Sequence, residues 1–192
     1  MSVSFAQNKI ASNQWQKIIL KDVSFQLPAT IRIPKDKYKE FSNNDKKEKM
    51  YDTFEIIAVS TNNAKKASIE IMTTVSENGD YKKLANLNPL SDKDIKSMDN
   101  LNQKEMDKHR ELYGNIIRYF PIKTEIINGI PFIHFGYKRQ LPGNPIEDIS
   151  VYFAYNNDRT HQMTFKCYAA DNSYWKSDLD KIVKSFVITN IR

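Results

Sequence analysis

The sequence predicts an α+β fold, and three observations carry that prediction. Short runs alternate apolar and polar residues at a period of two, the pattern of half-buried strands. Trp175, Leu179, Ile182, Val183 and Phe186 recur at i, i+4, i+7, i+8 and i+11, a helical stripe that must bury against a sheet. The order is antiparallel strands, a helix, more antiparallel strands and a closing helix, not the alternation of a parallel sheet. With no internal repeat, residues 14–192 read as one α+β domain, preceded by an arm over residues 1–13.

Taken in order, Val23-Ser24-Phe25-Gln26-Leu27-Pro28 alternates as a half-buried strand that ends at Pro28, because proline cannot donate to a ladder. Lys35–Met50 is densely charged and reads as a solvated loop or short helix. Residues 53–60 and 66–75 form two strands around the hairpin loop 61–65, with Ile69, Ile71 and Thr73 sharing a face. A polar connection from Ser76 to Leu90 leads to a helix whose start is capped by Ser91, with Asp94 closing an approximate capping box. Ile95, Met98, Leu101, Met106, His109 and Tyr113 mark its apolar face, and Gly114 stops it. Residues 116–120 and 130–139 are strands, with a hairpin turn at Asn128-Gly129. Residues 149–155 and 160–169 pair next, with Met163, Phe165 and Cys167 on one face and Gln162, Thr164 and Lys166 on the other. The last helix begins near Asp171, and Ser177, Asp178, Asp180, Lys181 and Lys184 form its wet side.

Composition narrows the function classes. The chain has 192 residues, 40% of them hydrophobic, which suits a globular protein with a real core. Its net charge of +6 permits an anionic partner without demanding one. Six of its 29 basic residues are Arg, and the lysines lie among acids, so nucleic-acid binding is not expected. No apolar run is long enough for a transmembrane helix. Ser2-Val3-Ser4-Phe5-Ala6-Gln7-Asn8 reads like the end of a bacterial secretory signal cleaved near Ala6, without the basic and apolar segments that precede one. A trimmed precursor to which Met1 has been added gives a periplasmic or secreted location, the preferred reading. An accidental likeness gives a cytoplasmic one.

Enzyme signatures are sparse. The five glycines assemble no phosphate-cradling loop, and no nucleophile elbow, paired-cysteine zinc motif or metalloprotease helix occurs. Cys167 alternates with Phe165 and Met163 as a core residue, with no activating neighbour on its face. Asp92, Asp94 and Asp99 lack the glycine of a calcium loop and suit a helix start instead. His109 reads as a partly buried or boundary histidine, and His161, just after a turn, is as readily a solvent-facing strand residue as a ligand. His134 reads as a hydrogen-bonded sheet residue, and it is the foremost candidate if a pocket exists, because Gly136 beside it leaves room for a ligand. No catalytic residue, metal site or cofactor is expected. Partner contacts fall to polar loops: Lys138, Arg139 and Asn144 in one, Asn157, Asp158 and Arg159 in another, with His134 as a further candidate.

The strand Val23–Pro28 resembles the opening "fsf-x-lP" strand of the Mog/PsbP-like superfamily, which includes PsbP and DcrB-type bacterial proteins. The run from Val151 to Ile188, with Trp175, Leu179, Ile182 and Ser185-Phe186-Val187, is similar to that family's closing "w…l..i..SF" helix. The resemblance implies an antiparallel sheet between helices, an α/β/α sandwich, used for binding or assembly and not for catalysis. Members include photosystem extrinsic subunits, a Ran-GTPase partner, envelope lipoproteins and Eag-type chaperones. No lipobox cysteine stands near the start here, and the matching positions are structural, so no site residue carries over. Three functions follow: an accessory protein-binding domain of the bacterial envelope or secreted space, a cytoplasmic Eag-like chaperone or adaptor for a secreted effector, or a small-molecule-binding protein or enzyme with a pocket near His134.

Overall fold

The computed structural model describes residues 14–34, 38–42, 51–76 and 90–191. The predicted arm and most of the connection to the first long helix lie outside them. The main sheet is antiparallel and runs β3 (Ile31–Arg32), β5 (Tyr51–Ser60), β6 (Ala67–Ser76), β10 (Arg159–Tyr168), β9 (Glu147–Asn156), β8 (Ile130–Gln140), β7 (Asn115–Ile127), with β4 (Tyr38–Ser42) beside β3 on the outer edge of β5. A second, three-stranded sheet joins β1 (Trp15–Ile19), β2 (Val23–Pro28) and β11 (Val187–Ile188). The long helix α1 (Asp92–Lys108) and the single turn α2 (Arg110–Tyr113) lie on one face of the main sheet; α3 (Asn172–Ser185) and the small sheet cover the other. This is the α/β/α sandwich.

Period-two alternation builds the larger core. Ile69 and Ile71 of β6, and Met163, Phe165 and Cys167 of β10, are buried on the α3 face, where Trp175 and Ile182 meet them with no exposed surface. Phe186 stands between Phe25, stacked at 6.2 Å, and Phe132, edge-on at 5.8 Å. Burying such side chains is the main favourable contribution to folding. The α1 face carries a smaller cluster of Met106, Tyr137, Ile149 and Val151.

Several expectations are corrected. Val23–Pro28 is buried on both faces, not alternately, because β2 is the middle strand of its sheet and α3 packs on it. The charged stretch 35–50 contains a strand, β4, whose backbone pairs with β5. The first helix stops at His109 before the extra turn α2, and Gly114 ends that turn at φ 73°. The capping box of Ser91 and Asp94 forms as expected, but Leu101 is 61% exposed, since the inward face of α1 runs through Asp99, Asn102 and Met106. Phe186 lies one residue past α3, and Val187 begins β11 instead of extending the helix.

The Asn128-Gly129 turn forms with both residues in the left-handed region, at φ 51° and 81°, as a two-residue hairpin requires. The Asn128 amide also donates to the carbonyls of Lys184 (3.0 Å) and Phe186 (2.7 Å), so the hairpin caps the end of α3. Gly136 does not leave room for a ligand. A Cβ there would meet the carbonyl oxygen of Ile149 at 2.9 Å, so glycine permits close strand approach. Gly136→Ala should cost about 1–3 kcal/mol in urea denaturation, because the obstructing atom is backbone and cannot swing aside. A neutral substitution would show that β8 and β9 separate freely.

Candidate functional site

A trough of about 550 Å³ lies on the α1 face of the main sheet. Its origin is the way α1 is held. Asp99 accepts hydrogen bonds from the Tyr119 hydroxyl and the Ile122 backbone N–H, both at 2.8 Å, and Asn102 donates to the Tyr119 oxygen at 3.1 Å. These bonds pin the helix over β7, at one edge of the sheet, and among the described residues much of β6 and β10 is left uncovered. Ser68, Glu70, Gln162, Thr164 and Lys166 then alternate outward along the floor, beside the apolar wall of Phe135, Val151 and Phe153. Tyr137 lies at the inner end, its hydroxyl pushed up to about 12 chiefly by burial. Its described lining holds no Cys or His, and it offers hydrogen-bonding side chains beside aromatic ones, a surface suited to binding.

The predicted contact residues are not brought together. Arg139 lines this trough, with its Nε donating to Glu147 at 2.8 Å and an η nitrogen to the Leu112 carbonyl at 3.1 Å. Lys138, next along β8, turns to the opposite face, 3.6 Å from Asp148. Asn144 sits in the exposed turn between β8 and β9. Asn157, at φ 62°, and Asp158 form the turn at the far end of β9. His134 lies on the α3 face, its Nδ1 2.8 Å from Glu125 and its ring stacked on Tyr152 at 3.9 Å.

Arg159 is corrected outright. It is 4% exposed and points into the core, where it pairs with Asp22 and holds both oxygens of Asp158 at 2.9 Å. For His161 the structure decides between the two open readings: it has no exposed surface and stands between Thr73 at 3.0 Å and Asn156 at 3.1 Å. Asn156 and Asp22 both reach Asn190 near the C-terminus. This network was missed, although strand parity signals it: Arg159 and His161 continue the face of Met163, Phe165 and Cys167. His109 is a boundary residue, beside Glu105 and Glu111. Cys167 is buried, and burial pushes its thiol up to about 12, which leaves it without thiolate character at neutral pH. Among the described residues no cluster of His, Cys, Asp and Glu is placed to hold a metal, and no helix is long and apolar enough to cross a membrane.

No family model matches the chain, and no curated protein matches its sequence. Solved structures do. LpqN, involved in cell envelope biogenesis of Mycobacterium tuberculosis, superposes with a TM-score of 0.51 at 9% identity, over 92% of this chain and 91% of its own. The cyanobacterial PsbP (CyanoP) of Synechocystis sp. PCC 6803 does so with a TM-score of 0.50 at 11% identity, over 96% and 98%. The fold is PsbP-like. At such identity a PsbP-like neighbour speaks for the fold alone.

Proposed function

We propose that this chain is a non-catalytic accessory domain of the bacterial envelope or secreted space, which holds a segment of a protein partner in the trough on its main sheet. The observation that carries the reading is the floor of β6 and β10, left open among the described residues: a wide surface offering hydrogen-bonding side chains beside aromatic ones. Residues 14–192 act as one unit, and Arg139 is the sequence candidate that belongs to this surface. The alternation of Ser68, Glu70, Gln162, Thr164 and Lys166 with apolar side chains favours a mixed-polarity segment over the apolar cargo of an Eag-type chaperone. The envelope location is supported by the signal-like residues 2–8 and by a fold neighbour involved in cell envelope biogenesis.

A photo-crosslinking residue placed at Thr164, and separately at exposed Lys176 of α3, tests this in the native cell with fractionation. The expected result is one defined protein adduct at Thr164, none at Lys176, and recovery outside the cytoplasm. Equal adducts at both positions would defeat the trough as the binding surface. Recovery in the cytoplasm would defeat the location.

A further inference from the structure

We propose that a second cleft, beside His134, binds a neutral, hydroxyl-rich small ligand of the saccharide class. It is separate from the trough and stands or falls independently of that reading. The cleft encloses about 360 Å³ between β7, the β8–β9 pair and the C-terminal half of α3, within the usual range for small-ligand sites. Six of its lining side chains carry the argument: Lys123, Glu125, His134, Tyr152, Asp180 and Lys184.

Its floor presents one acceptor and one donor. Burial alone would push the Glu125 carboxyl up, but the hydrogen bonds and charges of Lys123 and His134 outweigh it and hold the group below the usual carboxylate range. Glu125 is therefore ionised and can only accept, so the proton on His134 sits on Nδ1, which donates to Glu125 at 2.8 Å. Burial, opposed by Glu125, keeps the imidazole below its ordinary value and hence neutral near pH 7. Its Nε2 is left as a bare acceptor without a partner among the described residues. Tyr152 lies parallel beneath it, with 14° between the rings, and burial keeps its phenol protonated. The phenol donates to none of the described residues, although Tyr152 as a whole is only 6% exposed.

The rim decides the ligand's charge. Lys123 and Lys184 balance Glu125 and Asp180, so the cleft offers no net field to an anion or a cation. What remains is paired hydrogen bonding beside apolar Ile126 and Val183. A sugar hydroxyl can donate to Nε2 while its neighbour accepts from Tyr152, and the ring's C–H face can rest on the apolar wall.

The test is an NMR titration of the imidazole nitrogens of His134 in the full chain, with D-glucose and N-acetyl-D-glucosamine as probes. Glucosamine and glucuronate serve as cationic and anionic comparators. Saturable shifts with a neutral sugar at millimolar concentration are expected. Affinity should fall about fivefold for the charged analogues and about fivefold in Tyr152→Phe, which keeps the stacked ring and loses one hydrogen bond. Unmoved His134 signals with both neutral sugars, tighter binding of either charged analogue, or unchanged binding by Tyr152→Phe would each overturn the proposal.

Discussion

Arg159→Met should lower the free energy of unfolding by about 3–5 kcal/mol, the usual cost of removing one partner of a buried ion pair. Methionine preserves much of the packing volume, so the loss is electrostatic. The carboxylate of Asp22 is 3% exposed and, among the described residues, would keep the Asn190 amide, at 3.0 Å, as its side-chain partner once the guanidinium is gone. Asp158, at the hairpin turn, loses the same fork. Urea denaturation of Arg159→Met, Asp22→Asn and the double variant measures the coupling. The double variant should be more stable than the sum of the single losses allows, because neutralising Asp22 removes the stranded charge. Simple additivity would mean that water reaches Asp22 and that the pair acts as a surface bridge.

Acid should destabilise the protein through His161, and the pH window follows from the sign of its shift. Burial, with Asp22 opposing and Arg159 assisting, pulls this imidazole from 6.5 down to about 4 in the folded state. The folded protein thus prefers the neutral ring, while the unfolded chain takes up a proton first. Stability from this group is complete above about pH 6.5 and falls by about 1.4 kcal/mol per pH unit as pH drops toward 4, for a total of about 3 kcal/mol. The hydrogen bonds fit the neutral form: Asn156 donates to Nε2, so Nδ1 carries the proton and faces the Thr73 hydroxyl. Unfolding curves of the wild type and His161→Gln, compared from pH 7 to 4, should diverge by that slope. Parallel curves would show that the folded state accepts the proton without penalty.

The parts of this fold that were legible in the sequence are those where one physical rule acts alone. Trp175, Ile182 and Val183 repeat at helical spacing because they meet a flat sheet, and all three are buried. Asn128-Gly129 turns because its backbone angles suit these two residues above most others. Legibility fails where burial and polarity conflict. Arg159 and His161 carry polar side chains, so they resemble surface residues, although their strand parity places them inside. Partners remote in sequence, Asp22 and Thr73, join the nearby Asp158 and Asn156 to make that burial tolerable, and no local pattern announces them. The same holds for α1: its apolar residues suggest a greasy contact, but Asp99 and Asn102 hold it through Tyr119, and no local pattern announces a hydrogen bond made across the fold. The trough depends on where that helix is pinned, so it was illegible for the same reason.

The three-stranded sheet has a consequence in time. Its middle strand comes from near the start of the chain and its last strand from the end, with Val187 opposite Ser24 and Ile188 opposite Val23. Asn190 closes the seam on Asp22, 168 residues earlier. A chain emerging from the ribosome therefore makes Val23, Phe25 and Leu27 well before the Trp175, Ile182 and Phe186 that complete their cluster and the β11 that pairs with their strand. Pairings this distant form slowly, because the loop must close before any contact rewards it. The apolar face of β2 waits for a strand made more than 150 residues later, and the newborn chain stays open to chaperones and aggregation until β11 pairs with it.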